Sequence, residues 1–115
     1  MADARADSPL APATFFVLFA LAGGEKHGYA IMKEARDLSG QRIRLGPATL
    51  YTTIQRLVEH NWIREVAAES NSDPRRRYYR LMRAGRDALT EELRQMEALV
   101  KRSKAMRLRP AGSAS

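Results

Sequence analysis

Residues 46–64 read Gly46-Pro47-Ala48-Thr49-Leu50-Tyr51-Thr52-Thr53-Ile54-Gln55-Arg56-Leu57-Val58-Glu59-His60-Asn61-Trp62-Ile63-Arg64. Pro47 suits the first helical position, where its missing N–H would go unpaired anyway and its φ is pre-set. At about 100° per residue, Leu50, Ile54, Leu57, Val58 and Asn61 line one side of a helix predicted over about 47–60. Thr49, Thr52, Arg56 and Glu59 lie opposite, with Thr53 and Gln55 on the flanks. An apolar back and a front of small hydroxyls with one long base meet the needs of major-groove reading. Thr can sit close to base edges or phosphates, and Arg can reach a guanine through two hydrogen bonds. A partly solvated helix in any small α-rich domain has the same pattern, so the neighbouring chain must decide.

Downstream, Trp62 to Ala67 carries β-branched and aromatic residues suited to a strand, and Ala68 to Pro74 is polar and turn-rich. Arg75 to Met82 can return as the second strand. Alternation puts Arg75, Arg77, Tyr79 and Leu81 on one face and Arg76, Tyr78, Arg80 and Met82 on the other. The result is a hairpin over about 62–82 with arginines at its base. A last helix follows, about Gly85 to Leu108. Leu89, Leu93, Met96, Val100 and Ser103 step by four, three, four and three, a heptad seam that Leu99 and Met106 widen. At 1.5 Å per residue such a helix is roughly 36 Å long, more than a small domain is wide. Its stripe is expected to be covered by a second copy across a two-fold axis; the alternative is a terminal helix lying along its own core.

Upstream, Pro12 to Ala22 (with Phe15, Phe16, Val17, Leu18 and Phe19) is helical in length and apolar almost all round, ending at Gly23-Gly24. A helix without a polar face is buried on every side, and in so small a domain that suggests a second chain. His27-Gly28-Tyr29 opens the next helix, to about Leu38. No nucleophile or acid accompanies His27, so a capping or packing role is expected of it. Gln41 to Leu45 reads as a short extended piece. Residues 1–9 and 109–115 read as disordered ends, leaving 10–82 as one domain and 83–108 as the projecting helix.

Composition narrows the classes. At 115 residues, a single domain with a modest core is expected. There is no cysteine, and His27 and His60 stand in no metal-ligand spacing, so neither a metal nor any other cofactor is expected. The apolar run Phe15 to Ala22 is too short to span a bilayer, and Asp3 and Asp7 are unlike a secretory signal, which points to a cytoplasmic protein. Net charge is +7 but unevenly placed: residues 1–73 hold 8 Lys/Arg against 9 Asp/Glu, residues 74–115 hold 12 against 4. A basic block on a near-neutral base suggests a polyanion, usually nucleic acid, with an anionic membrane surface the lesser alternative. No Ser/His/Asp arrangement, Gly-rich phosphate loop or paired carboxylates are present, so an enzyme is not expected.

Helix, helix, proline-started helix, hairpin, long helix is the order of a winged helix-turn-helix: mainly α with a small β wing, plus a C-terminal dimerisation helix. At this point the chain resembles the PadR-type transcriptional regulators over about residues 10 to 105. The matching residues are His27-Gly28-Tyr29-Ala30-Ile31, Pro47-Ala48-Thr49-Leu50-Tyr51 with Leu57 and Ile63, and Arg77-Tyr78-Tyr79-Arg80-Leu81 with Gly85. The resemblance implies a homodimeric DNA-binding regulator of prokaryotic type, usually a repressor, often released by a small-molecule effector at the dimer interface. A winged-helix protein–protein module without DNA is the alternative. Two positions depart from the pattern. Met82 stands where threonine is common, weakening the cap of the last helix; Asn61 stands where glycine is usual, and Asn tolerates the left-handed conformation.

The DNA-facing set is then Tyr29, Thr49, Tyr51, Thr52, Thr53, Arg56, Arg75, Arg76 and Arg77, with Arg56 the leading candidate for base readout. Tyr51 can either bond a phosphate or pack. The dimer set is Phe15, Phe16, Phe19, Leu89, Leu93, Met96, Leu99 and Val100. Residues 83–115 hold no aromatic, so an effector is expected against the first-helix phenylalanines with Leu93 and Met96. In a dimer the two reading helices are expected about 34 Å apart, one turn of B-DNA, facing an inverted repeat.

Overall fold

In the computed structural model, which describes residues 9–67 and 76–108, the elements are α1 (Pro12–Ala22), β1 (Lys26–His27), α2 (Gly28–Leu38), α3 (Pro47–Glu59), β2 (Ile63–Val66), β3 (Tyr78–Leu81) and α4 (Arg83–Ala105). The expectations placed on residues 1–8, on the wing tip with Arg75, and on residues 109–115 lie outside the described residues.

α1 is the hub, touching α2, α3, α4 and β3. Phe15, Val17, Leu18, Ala20 and Leu21 are all buried within this one chain. That corrects the expectation that covering α1 needs a second copy: the helix is short, and four elements of its own domain surround it. Val17 and Leu18 are fully buried, each contributing roughly 1.5–3 kcal/mol relative to exposure. Lys26 Nζ donates to the Ala20 carbonyl at 2.8 Å, satisfying an orphan acceptor at the helix end.

Three helices stop by the same device. After α2, Gly40 N–H reaches Asp37 O and Gln41 N–H reaches Arg36 O, with Gly40 at φ 63°. After α3, Asn61 (φ 61°) and Trp62 bond back to Val58 and Leu57, at 3.0 Å each. After α4, Arg107 (φ 58°) and Leu108 bond back to Lys104 and Ser103. These paired return bonds around a left-handed residue are Schellman motifs. Asn61 does adopt the αL conformation that glycine would supply. Gln41 to Leu45 runs as an unpaired segment tied to the end of α2, where Ser39 Oγ accepts from Ile43 N–H at 2.8 Å.

The wing is three-stranded, not two. β1, missed in the sequence because it is two residues long, pairs antiparallel with β3, giving the order β1-β3-β2. Glu65 faces Tyr79 and Ile63 faces Leu81 across β2–β3. Ile63, Tyr79 and Leu81 are buried on the core face, while Arg64 and Arg80 sit opposite one another on the exposed face. Such a like-charge pair is unfavourable; the Glu25 carboxylate, accepting from Arg80 Nε at 2.6 Å, offsets it. α4 begins two residues earlier than expected. Its buried residues, Gly85, Ala88 and Leu89, all lie in its first two turns.

Candidate nucleic-acid interface

α3 presents Thr49, Tyr51, Thr52, Gln55, Arg56 and Glu59 to solvent and buries Leu50, Ile54 and Leu57. Thr53 is the correction: only 6% exposed, it lies in the protein interior and cannot reach a groove. At about 100° per residue it lies roughly 60° from Leu50 and roughly 40° from Leu57, on the buried side of the helix. Gly46 caps α3 through its backbone alone, and Pro47 starts the helix as expected.

Tyr51 leans across to the start of α2. A Cβ on Gly28 would lie 2.5 Å from the Tyr51 hydroxyl, so the close approach of the phenol requires glycine. Between α2, α3 and the wing runs an open groove of about 490 Å³, lined by His27, Gly28, Tyr29, Tyr51, Arg76, Arg77 and Tyr79. Tyr29 and Tyr51 are 65% and 52% exposed, a large outlay of aromatic surface for a core-forming residue type. Among the described residues that line the groove, none is acidic. A second groove of about 380 Å³ along α3 shares Tyr51, Arg77 and Tyr79 and includes Gln55 and Glu65. Glu65 lies 3.7 Å from Arg77, an exposed pair worth little in water.

His27 takes the capping and packing role expected of it, and the wing adds a partner that the sequence did not show. Its Nδ1 accepts from Ala30 N–H at 3.3 Å, capping α2, while its Nε2 lies 3.0 Å from Arg76 Nη1 on the wing. The ring stacks near Tyr29 and meets Tyr78 edge-on. Burial, and then the Arg76 charge, hold the imidazole pKa below its ordinary value. Burial, then Glu65, push the Tyr79 phenol up. The pairing of β1 with β3 joins His27 to the wing, and that strand carried no length signal in the sequence. Arg42 and Arg44, also exposed, precede α3.

The structure thus brings Tyr29, Tyr51, Arg76 and Arg77 together around one groove and leaves Thr49, Thr52 and Arg56 on the open front of α3. The dimer set divides. Phe15 (6% exposed) and Leu89 (4%) belong to the chain's own core, a correction, because the packing of α1 on α4 encloses them. Phe16, Phe19 and Leu93 are half-buried at the core edge, and Met96, Leu99 and Val100 are exposed. Among the described residues no helix is long and apolar enough to cross a membrane.

The sequence profile of the transcriptional regulator PadR-like family matches residues 17–91. The transcriptional regulator Rv3488 of Mycobacterium tuberculosis is 38% identical over 86 residues, covering 74% of this chain and 76% of that protein. An uncharacterized 37.1 kDa protein in transposon TN4556 of Streptomyces fradiae is 38% identical over 87 residues, 76% of this chain, but the chain spans only 24% of that relative's length. A PadR family transcription regulator from Clostridium difficile superposes with a TM-score of 0.70 at 21% identity, covering 85% of this chain and all of that one. A transcriptional regulator from Clostridium thermocellum gives 0.65 at 25% identity, covering 84% and 90%.

Proposed function

The chain belongs to the PadR-like family of transcriptional regulators, and from that footing we propose that it is a homodimeric repressor that binds an inverted-repeat operator. α3 enters the major groove, with Thr49, Thr52 and Arg56 toward base edges and Arg56 the reading residue. Arg76 and Arg77, with the hydroxyls of Tyr29 and Tyr51, hold phosphates. Arg75 is proposed as a third wing contact. The observation that carries the reading is the groove of tyrosines and arginines beside the exposed front of α3. The exposed Met96, Leu99 and Val100 supply the surface for the second copy, with Phe16, Phe19 and Leu93 at its edge.

Occupying a promoter is then enough to block transcription. Transcripts of genes beside this one are expected to rise when it is deleted; a fall would make it an activator. An effector would enter at the dimer interface, against Phe16, Phe19, Leu93 and Met96. Titration calorimetry with a panel of planar hydrophobes tests that, and absence of heat removes the effector from the scheme.

A gel shift on the DNA upstream of its own gene tests the core of the proposal. With roughly 6–10 phosphate contacts, affinity is expected to fall about 10³–10⁵-fold between 50 and 200 mM salt. No shift even at low salt would make the chain a protein–protein module built on the same fold.

A further inference from the structure

His27 faces two hydrogen-bond donors with one lone pair to give. Its Nδ1 sits 3.3 Å from Ala30 N–H and its Nε2 sits 3.0 Å from Arg76 Nη1. A neutral imidazole carries a proton on one nitrogen and a lone pair on the other. If Nδ1 caps α2, then Nε2 bears the proton and points it at a guanidinium that also only donates. If Nε2 accepts from Arg76, the cap is lost. Double protonation satisfies neither, and burial and the Arg76 charge already oppose it.

An anion resolves the conflict. We propose that His27 Nε2–H and Arg76 converge on one backbone phosphate of the bound DNA, so that the α2 cap, the wing and the duplex are tied at a single point. This rests on the DNA-binding reading above. Among the described residues, the groups around the ring are Tyr29 of α2 and Tyr78 and Arg76 of the wing; Arg77 and Tyr51 line the same groove, and none of these brings a negative charge. A phosphate oxygen has lone pairs for both donors at once, and hydrogen bonds to an ionised acceptor are roughly twice as strong as neutral ones. The cap is then kept, because Nδ1 stays free to accept from Ala30. Since the imidazole remains neutral, it releases no counterion of its own.

The test uses the full chain with two duplexes, the DNA upstream of its own gene and a random sequence of equal length. His27→Asn keeps a side-chain oxygen able to cap the helix but removes the Nε2 donor. It is expected to weaken binding about tenfold on both duplexes without changing the salt dependence. Arg76→Ala is expected to lower the salt slope by about one. The double variant should weaken binding by less than the product of the two, because the donors share one acceptor. Nitrogen chemical shifts of His27 in the complex should show a protonated Nε2 and an accepting Nδ1. Unchanged affinity in His27→Asn, or a proton on Nδ1 in the complex, overturns the inference. Failure of the unaltered chain to bind either duplex overturns the DNA-binding reading itself, and the two failures are therefore distinct.

Discussion

At single residues, the sharpest constraints are steric. A Cβ on Gly85 would be driven into the Trp62 carbonyl, which is backbone and already accepts from Met82 N–H at 2.9 Å. Neither partner can yield, so Gly85→Ala is expected to destabilise by about 1–3 kcal/mol in urea unfolding, as overpacking does. Just before it, Met82 occupies the N-cap of α4 in extended conformation with no side-chain cap bond. Met82→Thr is expected to stabilise by about 1 kcal/mol in the same assay. His27 offers a third reading by pH. Its pKa is lower in the folded chain, so the unfolded chain binds more protons as pH drops. Its stabilisation is therefore complete above about pH 6.5, the unperturbed value, and is lost as pH falls through the folded value. The stability difference between the natural chain and His27→Asn, followed by thermal melts from pH 8 to 5, should shrink on acidification. Tyr79 moves the other way chemically, but its titration lies in the alkaline range and leaves that window clear. Met82 and Asn61 were both legible as departures because capping and αL preferences are local. Thr53 was not, since its side of α3 depends on which face the rest of the domain covers.

At the level of elements, the heptad in α4 was readable but its division was not. Periodicity places Leu89, Leu93, Met96 and Val100 on one stripe; it cannot say where the globule ends along that stripe. The packing of α1 sets the boundary, enclosing Leu89, half-covering Leu93 and leaving Met96, Leu99 and Val100 outside. The same fact explains why Phe15 was misplaced: an all-apolar helix looks intermolecular until four intramolecular neighbours are seen around it. β1 was invisible for a different reason. Two residues carry no period, and only the unsatisfied edge of β3 gives them a partner. The division predicts distinct outcomes. If the proposed dimer forms through these outer turns, Leu99→Glu, at a position 67% exposed, should leave helix content unchanged yet give a monomer in light scattering after size exclusion. Leu89→Ala should instead cost about 2–5 kcal/mol of unfolding stability, since it opens a cavity in the core. A dimeric Leu99→Glu chain would move the two-fold contact away from the outer turns of α4.

On the scale of the whole molecule, the uneven charge acquires a geometry. Residues 1–73 are nearly neutral in charge, and among the described residues after them the cations fall on the wing, along α4 and just past its end. Two arginines on this surface are expected to fail differently when removed, because phosphate contacts position while base contacts specify. Arg77 lies in the groove beside Tyr51 and Tyr79, and among the described residues its ion pair is the weakly held one with Glu65. Arg77→Ala should therefore weaken binding to every sequence alike and reduce the slope of log affinity against log salt by about one. Arg56 stands exposed on the open front of α3, about one turn beyond Thr52, and in the proposed complex it would meet a base edge. Arg56→Ala should keep the salt slope of a base contact, lose roughly 1–3 kcal/mol on the preferred site, and lose little on random DNA. Binding-site selection with both variants, repeated at two salt concentrations, separates the roles. If Arg56→Ala selects the same sequences as the natural chain, base readout must come from Thr49 and Thr52 or from DNA shape. With so short a front and one long base, shape is then the larger share, and flexible or narrow-grooved steps between the two half-sites would dominate the selected sequences.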